Sequence, residues 1–256
     1  MKIAITRQLS PAINECELTH LSRAPINFKR ACAQHQQYEN ALRSLGVDVI
    51  SLAAEPHLPD SVFVEDMALV LDECAILTNP GAVSRRAEVS TVEATLAPYR
   101  KIFRILPPDT LDGGDILTVG RTIYIGLTQR STNDAIEQMR NIVKPFAYEV
   151  RAVPVTGCLH LKTAVTQVGK NTLLINPAWV SQHDFPGQNF IEVDSSEPSA
   201  ANAVLIGNSI IYPSAFPQTK ARLEKAGINI LTVDADELAK AEGAVTCCSL
   251  LFDAPG

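Results

Sequence analysis

The sequence contains no glycine-rich phosphate loop and no dinucleotide fingerprint, so nucleotide chemistry built on either is not expected. No window of about 18 apolar residues exists, which excludes a membrane-spanning helix. The opening MKIAITRQLS carries too short an apolar run for a signal peptide, so a cytoplasmic protein is expected. Basic runs are also missing, and the formal net charge is −6, which argues against nucleic acid or an anionic membrane as a partner. An acidic protein suits a small cationic substrate better. The six cysteines (16, 32, 74, 158, 247 and 248) form no CxxC pair and no zinc-finger spacing, and in a reducing compartment they read as free thiols. No linker rich in Pro, Gly or Ser divides the chain, and 46% hydrophobic residues over 256 positions can bury a full core. Residues 1–256 are therefore read as one catalytic domain.

What is present is a repeat. Four apolar hairpins carry two-residue polar or glycine-containing turns: MALVL-DE-CAILT, DILTV-GR-TIYIGL, TAVTQV-GK-NTLLIN and NAVLI-GN-SIIY. Their turns recur at a period of roughly 40 to 50 residues. Helical patterns follow several of them. Ser84 to Arg100 places Val89, Val92, Leu96 and Tyr99 on one face, Thr132 to Val143 is capped by Thr132 or Asn133, and Phe216 to Ala226 stops at Gly227. Pro177 to Gly187 is too rich in Pro and Gly for a helix. Short extended segments, VDVISL, KIFRIL, VRAVPV, FIEV and NILTV, close the units. A fifth unit is split between the ends: CCSLLF and KIAIT would supply its hairpin, followed by a helix near Asn27 to Leu45 and then VDVISL. Closing the units into a ring would remove exposed sheet edges. The alternative is an ordinary mixed α/β sheet.

A ring of repeats points equivalent strand ends at a common centre. Just before, or early in, the first strand of each hairpin stand Asp60, Glu65 and Asp66; Asp112 and Asp115; His160; Asn202; and Cys247. Taken singly, each has a structural explanation. Cys247 could be a buried small hydrophobe, His160 a satisfied core imidazole, and Asp112 a turn former beside its two glycines. PDSVFVED is harder to dismiss, because adjacent carboxylates in an apolar strand repel unless a cation lies between them. On a strand, Glu65 and Asp66 are expected to face opposite sides. The scattered ligands lack the short-range spacing of a zinc site, so no metal is assigned. Arg85, Arg86 and Arg130 sit at helix starts, where a cation opposes the helix dipole, and a bound carboxylate would explain them.

Together, LPDSVFVEDMALV, NPGAVSRRAEV, LDGGDIL, GLTQRSTN, CLHLKTAV and EGAVTCCSLLF resemble the dimethylarginine dimethylaminohydrolase family, in order and over nearly the whole chain. The resemblance implies the fivefold pseudosymmetric α/β-propeller, or pentein, of the guanidino-group-modifying enzymes, built from ββαβ repeats. It implies hydrolysis of asymmetric dimethylarginine and monomethylarginine to citrulline and an alkylamine, without a cofactor. It assigns Cys247 as nucleophile, His160 as general acid and base, and Asp112 as the carboxylate that orients the histidine. Asp60, Glu65 and Asp66 match the acids around the guanidinium, and Arg85 and Arg130 the clamp on the substrate carboxylate. Leu18 falls on the family's lid, and Ala241 where a backbone carbonyl meets the substrate amino group. RSTN departs from the more usual RTN around Arg130.

These roles fit the chemistry. Carboxylates bind the guanidinium, the thiolate attacks its carbon, and the histidine protonates the departing amine before activating water. Cys247 is expected at a strand start, with Cys248 pointing away into the structure. The expected partner is a small guanidino substrate, and a homodimer is compatible with the resemblance. Alternatives are an arginine deiminase-like hydrolase of unmethylated arginine, an amidinotransferase, for which the chain is short, and a non-catalytic propeller, against which Cys247, His160 and Asp112 argue.

Overall fold

The computed structural model describes residues 1–254. Strand β1 (Lys2–Arg7) is followed by helix α1 (Phe28–Ser44) and β2 (Asp48–Leu52). The next unit runs β3 (Ala68–Val70), β4 (Cys74–Leu77), α2 (Val89–Leu96) and β5 (Lys101–Arg104). The third runs β6 (Ile116–Val119), β7 (Thr122–Leu127), α3 (Asn133–Val143) and β8 (Glu149–Pro154). After the one-turn α4 (Leu161–Ala164) come β9 (Val165–Gly169), β10 (Thr172–Ile175) and β11 (Asn189–Glu192). The last hairpin is β12 (Val204–Ile206) and β13 (Ser209–Pro213), with α5 (Pro217–Lys225) and β14 (Asn229–Val233) behind it. The short α6 (Asp236–Ala239) leads to β15 (Leu250–Asp253).

Five three-stranded sheets result, ordered β3-β4-β5, β6-β7-β8, β9-β10-β11, β12-β13-β14 and β15-β1-β2. In each, the first pair is antiparallel and the second parallel, as hairpin, crossover and returning strand require. The expected fivefold α/β-propeller is thus the fold. The split unit closes as expected: Ile5 lies opposite Leu250 and Lys2 opposite Asp253. Helix starts follow local chemistry. Asn27 accepts from the backbone N–H of Arg30 at 3.1 Å, and Thr132 from that of Ala135 at 3.3 Å. Pro177–Gly187 holds only the short 3₁₀ turn Gln182–Asp184. Among the described residues, no helix is long and apolar enough to cross a membrane.

One expected helix is altered. Within Ser84–Arg100, the 3₁₀ turn Val83–Glu88 comes first and α2 begins only at Val89. The tighter winding turns Arg85 and Glu88 inward together, and both are buried.

Apolar side chains bury themselves between neighbouring units. One cluster joins Ile3 and Ile5 of β1 and Leu250 and Phe252 of β15 to Ala75, Val92 and Leu96 of the next unit. The five first strands surround an axial channel of about 230 Å³, and all of them contribute to its wall, with Leu69, Leu117, Gln167, Leu205 and Leu251 among the lining residues. Phe252 is a seam residue of this ring. It is 4% exposed, stacks edge-on against Tyr99 at 5.4 Å, and lies under the Arg100 guanidinium at 5.5 Å. Phe252→Ala is expected to lower the unfolding free energy by about 3–5 kcal/mol in urea titration. A loss below about 1 kcal/mol would mean that closure between the chain ends does not support the fold.

Candidate active site

Tight turns sit just ahead of the first strands: Val64–Met67, Gly113–Asp115, Leu161–Ala164 and Thr246–Cys248, with a turn up to Ala201 before Asn202. They correct two expectations. Glu65 and Asp66 are not on a strand, and Cys247 is not at a strand start; all three belong to 3₁₀ turns. Successive side chains on such a turn diverge by about 120°, not 180°. Glu65 and Asp66 can therefore both point inward, and they are 6% and 3% exposed.

His160, the residue before α4, pairs through Nε2 with Asp112 Oδ2 at 3.0 Å, and both are buried. The other Asp112 oxygen accepts the N–H of Gly81 at 2.8 Å. Asp115 supports the same turn from below, accepting from the Leu161 N–H at 3.0 Å and from the Thr128 and Ser131 hydroxyls at 2.6 Å each. The two glycines of LDGGD are required by close approach. A Cβ on Gly113 would stand 2.0 Å from the Glu65 carbonyl oxygen, and one on Gly114 would stand 2.5 Å from Nδ1 of His160 and 2.9 Å from Asp66 Oδ1. Gly114 instead donates its N–H to Asp66 at 2.8 Å.

Arg85 is tied more deeply than its expected clamp role requires. It donates to Asp66, to both oxygens of Glu88 (2.9 and 3.2 Å), and to the carbonyls of Phe63 (3.0 Å) and Asp60 (3.3 Å). Of its five N–H groups, one on Nη1 is left for anything else. Arg130 is freer; it donates to the Thr19 hydroxyl at 3.0 Å and lies 4.0 Å from Asp112.

The electrostatics follow from burial and neighbours. Burial pushes the Asp66 carboxyl up, but Arg85 and then His160 outweigh it and hold the group at about 2. Burial pushes His160 down, yet Asp66, the Asp112 hydrogen bond and Asp115 carry it up to about 9. Cys247 is pushed up to about 12 by burial and by Glu65 and Asp66. Its resting form is therefore the thiol. Cys248 is 2% exposed and donates to the Ala244 carbonyl at 3.4 Å. Atoms of Asp66, Asp112 and His160 come within 4.8 Å of one another, a spacing that could hold an ion. Here the Asp66 oxygens already accept from Arg85 and Gly114, and His160 and Asp112 pair with each other.

A cavity of about 20 Å³, room for about one water, brings together Asp60, Asp66, Arg85, Arg130, His160, Ala241 and Cys247 of the expected residues. Asp112 stands behind it. Glu65 lies deeper, where the axial channel begins. Leu18 does not line this cavity; it packs against the apolar cluster under α1, while its neighbour Glu17 lines the wall. The segment over the cavity is fastened by Glu242, whose carboxylate accepts the N–H groups of Thr19 (2.9 Å), His20 and Leu21 (2.6 Å). Glu17 adds its N–H to Asp60 at 3.1 Å and accepts from Ser84 at 2.6 Å. The cavity as it stands is too small for a molecule of amino-acid size. Glu17, Lys162, Thr246 and Glu242 are further residues at the site that no sequence motif points to by itself. Only Thr246 and Lys162 carried a signal, their place in the pre-strand turns.

A family profile described as N,N dimethylarginine dimethylhydrolase, eukaryotic, matches residues 4–251. The N(G),N(G)-dimethylarginine dimethylaminohydrolase of Pseudomonas aeruginosa is 36% identical over 236 residues, 91% of this chain and 92% of that protein. The protein of the same name from Streptomyces coelicolor is 36% identical over 253 residues, 97% and 96% of the two chains. Among solved structures, the Pseudomonas aeruginosa protein, as a cysteine-to-serine mutant complexed with citrulline, superposes with a TM-score of 0.93 at 34% identity and covers 98% of each chain.

Two measurements test this geometry. Arg85→Met strands Asp66 and Glu88 as buried acids without their cation and is expected to cost about 3–5 kcal/mol of stability. Arg130→Met, which loses one neutral hydrogen bond and a long 4.0 Å contact to Asp112, should cost less, about 1 kcal/mol, in the same urea titration. Equal losses would refute the difference in anchoring. The second concerns pH. His160 holds its proton more tightly when folded than when unfolded, so its contribution is complete below about pH 6.5 and disappears as pH rises toward 9. The wild type should lose stability over that interval relative to His160→Gln, and parallel melting profiles would contradict the assignment.

Proposed function

The chain belongs to the dimethylarginine dimethylaminohydrolase family, and we propose that it hydrolyses Nω-methylated arginines to citrulline and an alkylamine through a covalent adduct on Cys247. The observation that carries this reading is the meeting of a thiol, a His160–Asp112 pair and buried carboxylates at one cavity. The relative solved with citrulline adds that a protein of this fold and family holds the product.

In this reading the guanidinium enters beside Asp66 and Glu65 and offsets the negative charge that keeps Cys247 protonated. The thiol proton is lost to solvent, and the sulfur forms a bond to the guanidinium carbon. His160, protonated at neutral pH, gives its proton to the dimethylated nitrogen as the C–N bond breaks. Dimethylamine leaves, and an S-alkylthiouronium remains. Neutral His160 then takes a proton from water as the water oxygen bonds to the carbon. The remaining hydroxyl proton is lost to solvent as the C–S bond breaks and Cys247 departs as thiolate. Citrulline is released, and the emptied site takes a proton back from solvent to restore the thiol. Asp112 fixes the imidazole throughout.

At the other end of the substrate, Arg130 and the remaining N–H of Arg85 meet the carboxylate, and the Ala241 carbonyl meets the amino group. Asp60, Glu65 and Asp66 take the unmethylated edge of the guanidinium. Phe63 lies against Gly243 on the cavity wall, where a Cβ on that glycine would come within 2.2 Å of the ring, and gives the methylated edge an apolar neighbour.

The test is citrulline release from asymmetric dimethylarginine, monomethylarginine and arginine at matched subsaturating concentrations. A methylated substrate is expected to exceed arginine by at least about tenfold in kcat/KM. Equal or faster turnover of arginine would move the protein to a deiminase-like specificity and leave the mechanism in place. Cys247→Ser should abolish citrulline formation while Cys248→Ser keeps most of it. The reverse pattern would exchange the roles of the two thiols.

A further inference from the structure

Glu65 sits where the candidate active site meets the axial channel, and its carboxylate belongs to a closed ring of side chains from four units. Lys162 Nζ donates to Oε1 at 2.5 Å, and the Thr246 hydroxyl donates to Oε2 at 3.0 Å. Asn202 completes the ring. Its amide nitrogen donates to Thr246 Oγ1 at 2.9 Å and to the Lys162 carbonyl at 3.0 Å, and its oxygen accepts the Thr246 N–H at 3.0 Å. The third unit closes in from behind through the backbone of Gly113.

The pattern of donors has one solution. Lysine can only donate. Thr246 Oγ1 accepts from Asn202, so its own proton goes to Glu65. Both Glu65 oxygens thus receive donors and neither meets an acceptor, the pattern of an ionised carboxylate. Lys162 also lies two residues after His160, so one turn places both. Its side chain is 15% exposed and that of Glu65 8%, too buried for water to replace the cation.

From this ring we infer that Lys162 is a positioning residue for substrate recognition, holding Glu65 ionised and aimed at the guanidinium from the channel side. The inference rests on the proposed guanidino substrate. The other groups facing Glu65 all disfavour its charge or are neutral: Asp66 on its own turn, Cys247 and Cys248 on the turn that carries Thr246, and Tyr38 from α1. Burial raises the Glu65 carboxyl and Lys162 is the first influence that lowers it. Lys162 also opposes the negative field on the Cys247 thiol. Without this cation, Glu65 takes up a proton and presents a donor to a ligand that has only donors.

The test is the pH profile of kcat/KM for wild type, Lys162→Met and Lys162→Arg. Lys162→Met is expected to lose about tenfold or more near neutral pH, mainly through KM. The ratio of variant to wild type should climb as pH rises and Glu65 ionises. Lys162→Arg should keep most of the wild-type profile. In a Glu65→Gln background, Lys162→Met should add no pH dependence. A ratio constant with pH, or the same pH-dependent loss in the Glu65→Gln background, overturns the inference, since a merely structural lysine would lower stability without tilting the profile. Should Lys162→Met fail to fold, Lys162→Gln replaces it in the same comparison. If the wild type turns over no guanidino compound, the proposed function fails, and the pair is still tested by difference infrared spectroscopy. A carboxylic acid band that appears in Lys162→Met at neutral pH and vanishes in Glu65→Gln/Lys162→Met supports the pair, and its absence refutes it.

Discussion

Asp66 is the buried charge on which the rest of the centre depends. It is 3% exposed and stays ionised because Arg85 and the Gly114 N–H occupy its oxygens and His160 faces it. A buried carboxylate without such partners would be costly by several kcal/mol. Its charge in turn works outward. It is the largest influence raising His160, and it joins burial and Glu65 in keeping Cys247 protonated. The ion pair beneath them is thus the main influence holding the proton on the imidazole, and at the thiol it adds to burial and Glu65. This also explains why Arg85 is more deeply buried than Arg130 and Lys162 and has so little left to offer a ligand.

The fold delivers these groups by repetition. Each hairpin is preceded by a tight turn near the axis, and each turn presents a different side chain to the same few ångströms of space. Glu65, His160 with Lys162, Asn202, and Thr246 with Cys247 come from four different units. The third unit supplies Asp112 and Asp115, and its glycines let the backbones of neighbouring turns touch. Groups on such turns are fixed by the sheets behind them, which suits a site that needs narrow tolerances. It also makes two faces of one cluster. The cavity side holds Cys247, His160 and Asp66, and the channel side holds the ring around Glu65.

Much of this was legible in the sequence because hairpins write themselves locally. Alternating apolar strands around short polar turns marked all four complete units, and the fifth followed from the need to pair the ends. The catalytic candidates were visible through their recurrence ahead of each first strand. Three features were not legible, for one reason: they depend on residues distant in sequence. Glu65 and Asp66 read as strand because Val and Phe surround them, but their inward turn is imposed by contact with Gly113 and Gly114. Arg85 read as a ligand clamp because a cation at a helix start has no local use, and its partners Asp66, Phe63 and Asp60 are some twenty residues away. Lys162 drew no notice beside His160, since only the fold shows that Glu65 stands opposite.

The paired thiols of TCCS show how far adjacency can mislead. On a 3₁₀ turn neighbouring side chains diverge, so Cys247 faces the cavity while Cys248 is sealed in the apolar cluster under α1. The two cannot serve as a dithiol pair without unwinding the turn. Burial raises both, but only Cys247 has a cavity in which a cation can counter that effect. A thiol at about 12 in the empty protein is inert to most electrophiles at neutral pH. Its activation has to arrive with the ligand. A cationic guanidinium placed against Asp66 supplies the charge that the site lacks, and a neutral electrophile of the same size does not. On the proposed mechanism, selectivity for cations is therefore built into the resting state of Cys247, before any contact with the rest of the substrate is made.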